Sequence, residues 1–183
     1  MHREALIKSI KFCFPKKIYD NDHIKLQHPN YDIKNFEKKV GIKKRYLTND
    51  CETGLDLAEK ACNDLLKDNP GLKLDFIIYC TQSPEYILPT TSCILQHRLK
   101  LSKNIGAIDY NLGCSGYIYG LKIAKSLIKS GECDNVLLVT AETYSKFINK
   151  GDIVNKAIFG DAASATLITL SSEKGILKSI TKT

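Results

Sequence analysis

The sequence predicts an α/β layered sandwich: one domain on a mostly parallel five-stranded sheet with helices on both faces. Three observations carry this. Short apolar runs, such as residues 75–80 (DFIIYC) and 135–141 (NVLLVTA), have the length and composition of strands buried on both sides. They alternate with stretches whose apolar residues recur at helical spacing, the pattern of a parallel sheet covered by helices. The chain has 183 residues, 43% apolar and 26% charged, which suits one well-buried core in a globular protein.

The elements follow in order. Residues 3–14 alternate loosely between apolar and polar, as a strand does, and Pro15 stops them. Residues 16–50 are polar, rich in lysine and asparagine and weakly periodic, and are expected to form short helices and loops in an excursion from the core. From Thr53 a helix is marked by Leu55, Ala58, Ala61, Cys62, Leu65 and Leu66, until Asn69-Pro70-Gly71 breaks it. Residues 75–80 read as a buried strand, 90–101 as a helix after Pro89, and 104–110 as another buried strand. Residues 115–130 carry Tyr117, Leu121, Ala124, Leu127 and Ile128 at helical spacing, with Gly131 placed to cap the C-terminus. After the strand at 135–141, residues 162–170 and 175–180 read as two final strands joined by Ser-Ser-Glu-Lys.

Composition excludes several classes of function. No stretch approaches the ~20 apolar residues of a membrane helix, and the N-terminus lacks a signal-peptide cleavage pattern, so a cytoplasmic protein is expected. The seven cysteines form no CxxC and no zinc spacing, so no metal site is expected, and reduced thiols in a reducing compartment are. The net charge of +7 is spread along the chain and is densest at Lys38-Lys39-Val40-Gly41-Ile42-Lys43-Lys44-Arg45. Such a run is either a solvated face or a site for phosphates or an acidic partner. Without a recognised module or interleaved aromatics, nucleic acid is not an expected partner.

One cysteine stands apart. Residues 104–114 (NIGAIDYNLGC) form a strand and turn, and SGYIYGLKIAKSL continues as a helix, so Cys114 falls at a helix N-terminus. Unpaired amides and the positive end of the helix dipole favour a thiolate there. Gly113 and Gly116 permit a sharp turn and a close substrate approach. Ligands of such sheets bind beyond the carboxyl ends of the strands, where this turn lies. A packing role for the cysteine is the competing reading. His2, His23, His28 and His97 read as surface or structural residues rather than as its base.

The segment Asn111-Leu112-Gly113-Cys114-Ser115-Gly116-Tyr117 resembles the nucleophile turn of the 3-oxoacyl-(acyl carrier protein) synthase III family. Three more segments agree in order. Gly41-Ile42-Lys43-Lys44-Arg45 is similar to the family's Gly-Ile-x-x-Arg. Leu88-Pro89-Thr90-Thr91, followed by Gln96, is similar to its Phe-Pro segment, and Phe159-Gly160-Asp161-Ala162-Ala163 to its Phe-Gly-Asp-Gly-Ala. The resemblance implies a thiolase-like sandwich, of which residues 1–183 form the N-terminal half. It also implies a homodimer, an acyl carrier protein as partner, acyl-coenzyme A or acyl-carrier thioesters as substrates, and no tightly bound cofactor. Cys114 is implied as the acylated nucleophile of a decarboxylative Claisen condensation with a malonyl thioester, and Lys39, Arg45, Leu88 and Gly116 as substrate-binding positions.

Departures from the family pattern qualify these expectations. The chain has no tryptophan to stack on the coenzyme A adenine, and Lys39 stands where the coenzyme-binding arginine usually does. Leu88 and Tyr117 both replace phenylalanines. The family's histidine and asparagine, which orient the malonyl group, have no counterpart, so the chain alone is expected not to condense malonyl thioesters. The main alternative is a catalytically silent interaction domain that pairs with another subunit through residues 106–112. A nucleotide site at Gly113, Gly116, Gly120 and Glu142 lacks the dinucleotide spacing, and a serine hydrolase at Ser115 lacks G-x-S-x-G.

Overall fold

A computed structural model describes residues 3–180. Five strands form the main sheet: β1 (Glu4–Cys13), β4 (Phe76–Cys80), β5 (Gly106–Tyr110), β6 (Asn135–Glu142) and β7 (Ala162–Ser171), in the order β1-β7-β6-β4-β5. A separate two-stranded ribbon pairs β2 (Lys17–Asp20) with β3 (Lys44–Leu47). In the main sheet β6, β4 and β5 pair in parallel, and β7 is antiparallel to both of its neighbours. Four strands therefore share one direction, although two of the four pairings are antiparallel and the sheet is mixed. The apolar run of β6 fits its place at the centre, where Val136 to Val139 are all buried.

Helix α3 (Gly54–Lys67) covers one face of the sheet together with α4 (Thr91–Arg98); α5 (Gly116–Ser130) covers the other. The strand period of two divides the core between them. Ile77, Tyr79, Leu137, Val139 and Leu167 pack toward α3, and Ile78, Val136, Leu138 and Ile168 toward α5. The start of α3 is set by Thr53, whose hydroxyl accepts the Asp56 amide at 3.1 Å while the Asp56 carboxylate accepts the Thr53 amide at 2.9 Å. Gly131 ends α5 in the left-handed conformation at φ 89°.

Three expectations need correction. Residues 16–50 contain not only helices, α1 (Asn21–Gln27) and α2 (Ile33–Val40), but also the β2–β3 ribbon. Residues 175–180 form no strand; that segment lies against β1 through Ile176, whose amide donates to the Ala5 carbonyl at 2.8 Å. The helix at 90–101 ends at Arg98, because Lys100 takes a left-handed φ of 54°. A tight turn (Tyr144–Lys146) and α6 (Ile153–Ile158) complete the chain. Among the described residues, no helix is long and apolar enough to cross a membrane.

Candidate active site

The site grows from the carboxyl ends of three neighbouring parallel strands. Tyr110 of β5, Cys80 of β4 and Thr140 of β6 lie side by side in register, and Ser164 of β7 continues the row. The Thr140 and Ser164 hydroxyls share a hydrogen bond of 2.8 Å. From Tyr110 the chain rises into a turn closed by the Gly116 amide on the Gly113 carbonyl at 2.8 Å. Cys114 occupies that turn and is exposed. Helix α5 begins two residues later, and Ser115 at its start makes no side-chain cap.

Two glycines seat this helix against the sheet. A Cβ on Gly116 would stand 2.4 Å from Cys80 Sγ, and one on Gly120 would stand 2.4 Å from Leu138 Cδ1 and 2.7 Å from the Tyr110 hydroxyl. The Tyr110 hydroxyl donates to the Gly116 carbonyl at 2.6 Å, fixing the first turn of α5 to the end of β5. Neither glycine has a positive φ. Close packing, not conformational freedom, requires them.

Cys114 opens into a cleft of about 360 Å³, lined also by Cys80, Tyr117, Thr140, Glu142 and Phe159. Glu142 holds the opposite wall together: its carboxylate accepts the Gln82 amide at 2.7 Å and the Ser83 hydroxyl at 2.8 Å. Burial raises its pKa against the pull of those hydrogen bonds, and the carboxylate of Asp161 adds to the rise. Gln82 in turn lies over Gly113, its Oε1 3.1 Å from the position of a Cβ there. Buried Asp161 braces the far side, accepting from the amide and hydroxyl of Thr48 at 2.8 and 2.7 Å and from those of Ser145 at 3.0 and 2.6 Å.

The other residues singled out from the sequence lie elsewhere. Arg45 is 3% exposed and serves the fold: one guanidinium nitrogen donates to Asn21 Oδ1 at 2.5 Å, another donates to the Ala157 carbonyl, and the group lies over the Phe36 ring. These contacts tie Arg45 into the fold, and it does not line the Cys114 cleft. Gly116 is buried, and its close neighbour is the sulfur of Cys80 rather than open space for a substrate. Lys39 is exposed on α2 and does not line the Cys114 cleft. Leu88 is 77% exposed in the loop before α4, beside exposed Tyr86 and Ile87. His23, His28 and His97 do not line the cleft, and His2 lies outside the described residues.

Cys80, Thr140, Glu142 and Phe159 were missing from the sequence-derived site. Cys80, Thr140 and Glu142 sit at or next to the ends of apolar strand runs, a signal that becomes specific only once the strand order is known. Among the described residues, no group of His, Cys, Asp or Glu is arranged to hold a metal ion. An exposed thiol at a helix start, beside a partly apolar cleft, is suited to nucleophilic attack on a carbonyl carbon held in that cleft.

Known proteins share the sequence pattern and the fold. The family described as 3-Oxoacyl-[acyl-carrier-protein (ACP)] synthase III matches residues 108–183. A curated beta-ketoacyl-[acyl-carrier-protein] synthase III of Clostridium perfringens (strain ATCC 13124) is 38% identical over 164 residues, covering 87% of this chain and 49% of its own. A crystal structure of a 3-oxoacyl-(acyl-carrier-protein) synthase III superposes with a TM-score of 0.87 at 41% identity, over 95% of this chain and 52% of that one. The 3-oxoacyl-(acyl-carrier protein) synthase from Burkholderia xenovorans LB400 gives 0.88 at 33% identity, over 93% and 50%. The chain spans about half the length of the relatives it matches.

Proposed function

Since the chain belongs to the 3-oxoacyl-(acyl-carrier-protein) synthase III family, we propose that Cys114 accepts an acyl group from a thioester donor. The observation that carries this reading is the exposure of Cys114 at the start of α5, at the mouth of a cleft able to receive an acyl chain. The thiolate attacks the thioester carbonyl, the tetrahedral oxyanion collapses, and the donor thiol leaves with a proton. Backbone amides of the turn supply hydrogen-bond donors to the oxyanion, each worth about 3 kcal/mol. The donors are acyl-coenzyme A or acyl-carrier thioesters, and an acyl carrier protein is the macromolecular partner. Exposed Lys39 is the position we assign to the donor's phosphates.

In the complete reaction, decarboxylation of a malonyl thioester yields a carbanion that takes the acyl group from Cys114. That carbanion needs a group to stabilise it, and no histidine or asparagine lines the cleft among the described residues. The chain alone is therefore expected to take up an acyl group without completing the condensation. Incubation with acetyl-coenzyme A, followed by intact mass and peptide mapping, tests acylation; Cys114→Ala is expected to abolish it. Turnover of malonyl thioester by the chain alone would contradict the second half of the reading.

A second reading is supported by the outer edge of β5, which pairs with no other strand among the described residues. Ile108 on that strand and Tyr86, Ile87 and Leu88 in the loop before α4 are exposed. Pairing of two copies along this edge gives a homodimer whether or not Cys114 is acylated. Sedimentation of the chain with the β5 edge interrupted by Ile108→Pro tests it.

A further inference from the structure

A second thiol lines the Cys114 cleft, and acyl transfer makes no use of it. Cys80 ends β4, is 4% exposed, and donates from its sulfur to the Leu112 carbonyl at 3.3 Å. The same sulfur lies 2.4 Å from the Cβ position of Gly116. Leu112 is two residues before Cys114 and Gly116 two residues after it, so the buried sulfur sits beneath the turn that presents the exposed one. Both residues line one cleft. Exposed Cys51 and Cys93 do not.

We propose that Cys80 and Cys114 form a peroxide-responsive pair in which Cys80 resolves oxidised Cys114 into a disulfide. The Cys114 thiolate attacks hydrogen peroxide: an S–O bond forms, the O–O bond breaks, and the released hydroxide takes a proton to become water. The Cys80 sulfur then attacks the sulfenic sulfur: an S–S bond forms, the S–O bond breaks, and a second water leaves. Two thiols are oxidised by two electrons in total, and one peroxide is reduced.

Exposure separates the two roles. Cys114 meets dissolved peroxide first, whereas Cys80 is shielded, and burial raises its thiol pKa. Cys80 thus reacts with a sulfenic acid held beside it rather than with oxidant in solution. A disulfide requires Cα atoms about 4.4–6.8 Å apart. The Cys80 sulfur meets the turn on both sides of Cys114, at the Leu112 carbonyl and at the Gly116 Cβ position. The pairing does not require Cys114 to carry an acyl group, so its test is separate from the acylation test.

The test is treatment of the chain with dilute hydrogen peroxide, alkylation of free thiols, and peptide mapping without reduction. The expected product is a Cys80–Cys114 linked peptide, two hydrogens lighter than the reduced pair and reversed by dithiothreitol. In Cys80→Ser, Cys114 is expected to reach the irreversible sulfinic acid roughly five-fold faster or more, having lost its resolving partner. Cys80→Ala provides a second variant without the hydroxyl. Hyperoxidation of Cys114 at equal rates in wild type and both variants, or a linkage from Cys114 to any other cysteine, would overturn the proposal.

Discussion

The sulfur of Cys80 fills the space that a side chain on Gly116 would need: the Cβ position of the glycine lies 2.4 Å from it. This contact sets how closely the start of α5 approaches the end of β4, and so where Cys114 is held. Gly116→Ala is expected to destabilise the fold by about 1–3 kcal/mol, the usual cost of overpacking. Adding Cys80→Ala removes the sulfur and should recover much of that loss, because the remaining neighbours, Leu112 Cβ and Cys80 Cβ, are at 3.4 and 3.9 Å. Urea unfolding of the two single variants and the double variant measures the coupling. Strict additivity would show that the two groups do not meet.

Asp161 ties β3, the turn at Tyr144–Lys146 and β7 together through four accepted hydrogen bonds. Asp161→Ala leaves the buried donors of Thr48 and the part-buried donors of Ser145 without this acceptor. A loss of roughly 3 kcal/mol or more is expected from hydrogen bonds to a charged group. Denaturant titration reads it, and a change below 1 kcal/mol would mean that water replaces the carboxylate.

Arg45 makes a different kind of tie, joining the β2–β3 ribbon to α1 through Asn21 and to α6 through the Ala157 carbonyl. Arg45→Ala should destabilise by about 1–3 kcal/mol for each buried partner left unpaired. Protease nicking is expected to fall first within residues 16–50, the region that packs on Ile24, Ile33 and Ala157. Nicking first in the main sheet would contradict the structural role assigned to this residue.

Burial raises the pKa of Glu142, so its contribution to stability depends on pH. The folded state holds this proton more tightly than the unfolded chain does. The corresponding stability is fully present below the ordinary value of 4.5 and is lost as pH rises through the higher folded value. Glu142→Gln removes the titration. The stability of wild type relative to Glu142→Gln should therefore fall as pH increases from about 4 to about 7. A difference that stays constant or grows over that range would contradict the burial of the carboxylate.

How much could be read from the chain alone follows from how local each feature is. The β6 run and the Gly113–Gly116 turn were legible, because a doubly buried strand and a strand-to-helix turn each declare themselves within a few residues. The β2–β3 ribbon was not, since its strands pair across two intervening helices. Residues 175–180 alternate like a strand, yet Ile176 to Ala5 is the one backbone bond that joins them to β1. The far wall of the cleft was hidden for a related reason. Cys80, Thr140 and Tyr110 become neighbours only in the order β5-β4-β6, which the linear sequence does not state.

In Gly-Ile-Lys-Lys-Arg at residues 41–45, two residues have defined parts in the fold. Gly41 is the left-handed cap of α2 at φ 78°, and Arg45 is a buried fastener.

Intact mass spectrometry of the chain after exposure to acetyl-coenzyme A tests the central claim most directly. One acetyl group should appear, should map to the peptide containing Cys114, and should be removed by hydroxylamine as a thioester is. An unmodified mass, or an acetyl group carried by exposed Cys51 or Cys93 instead, would contradict it.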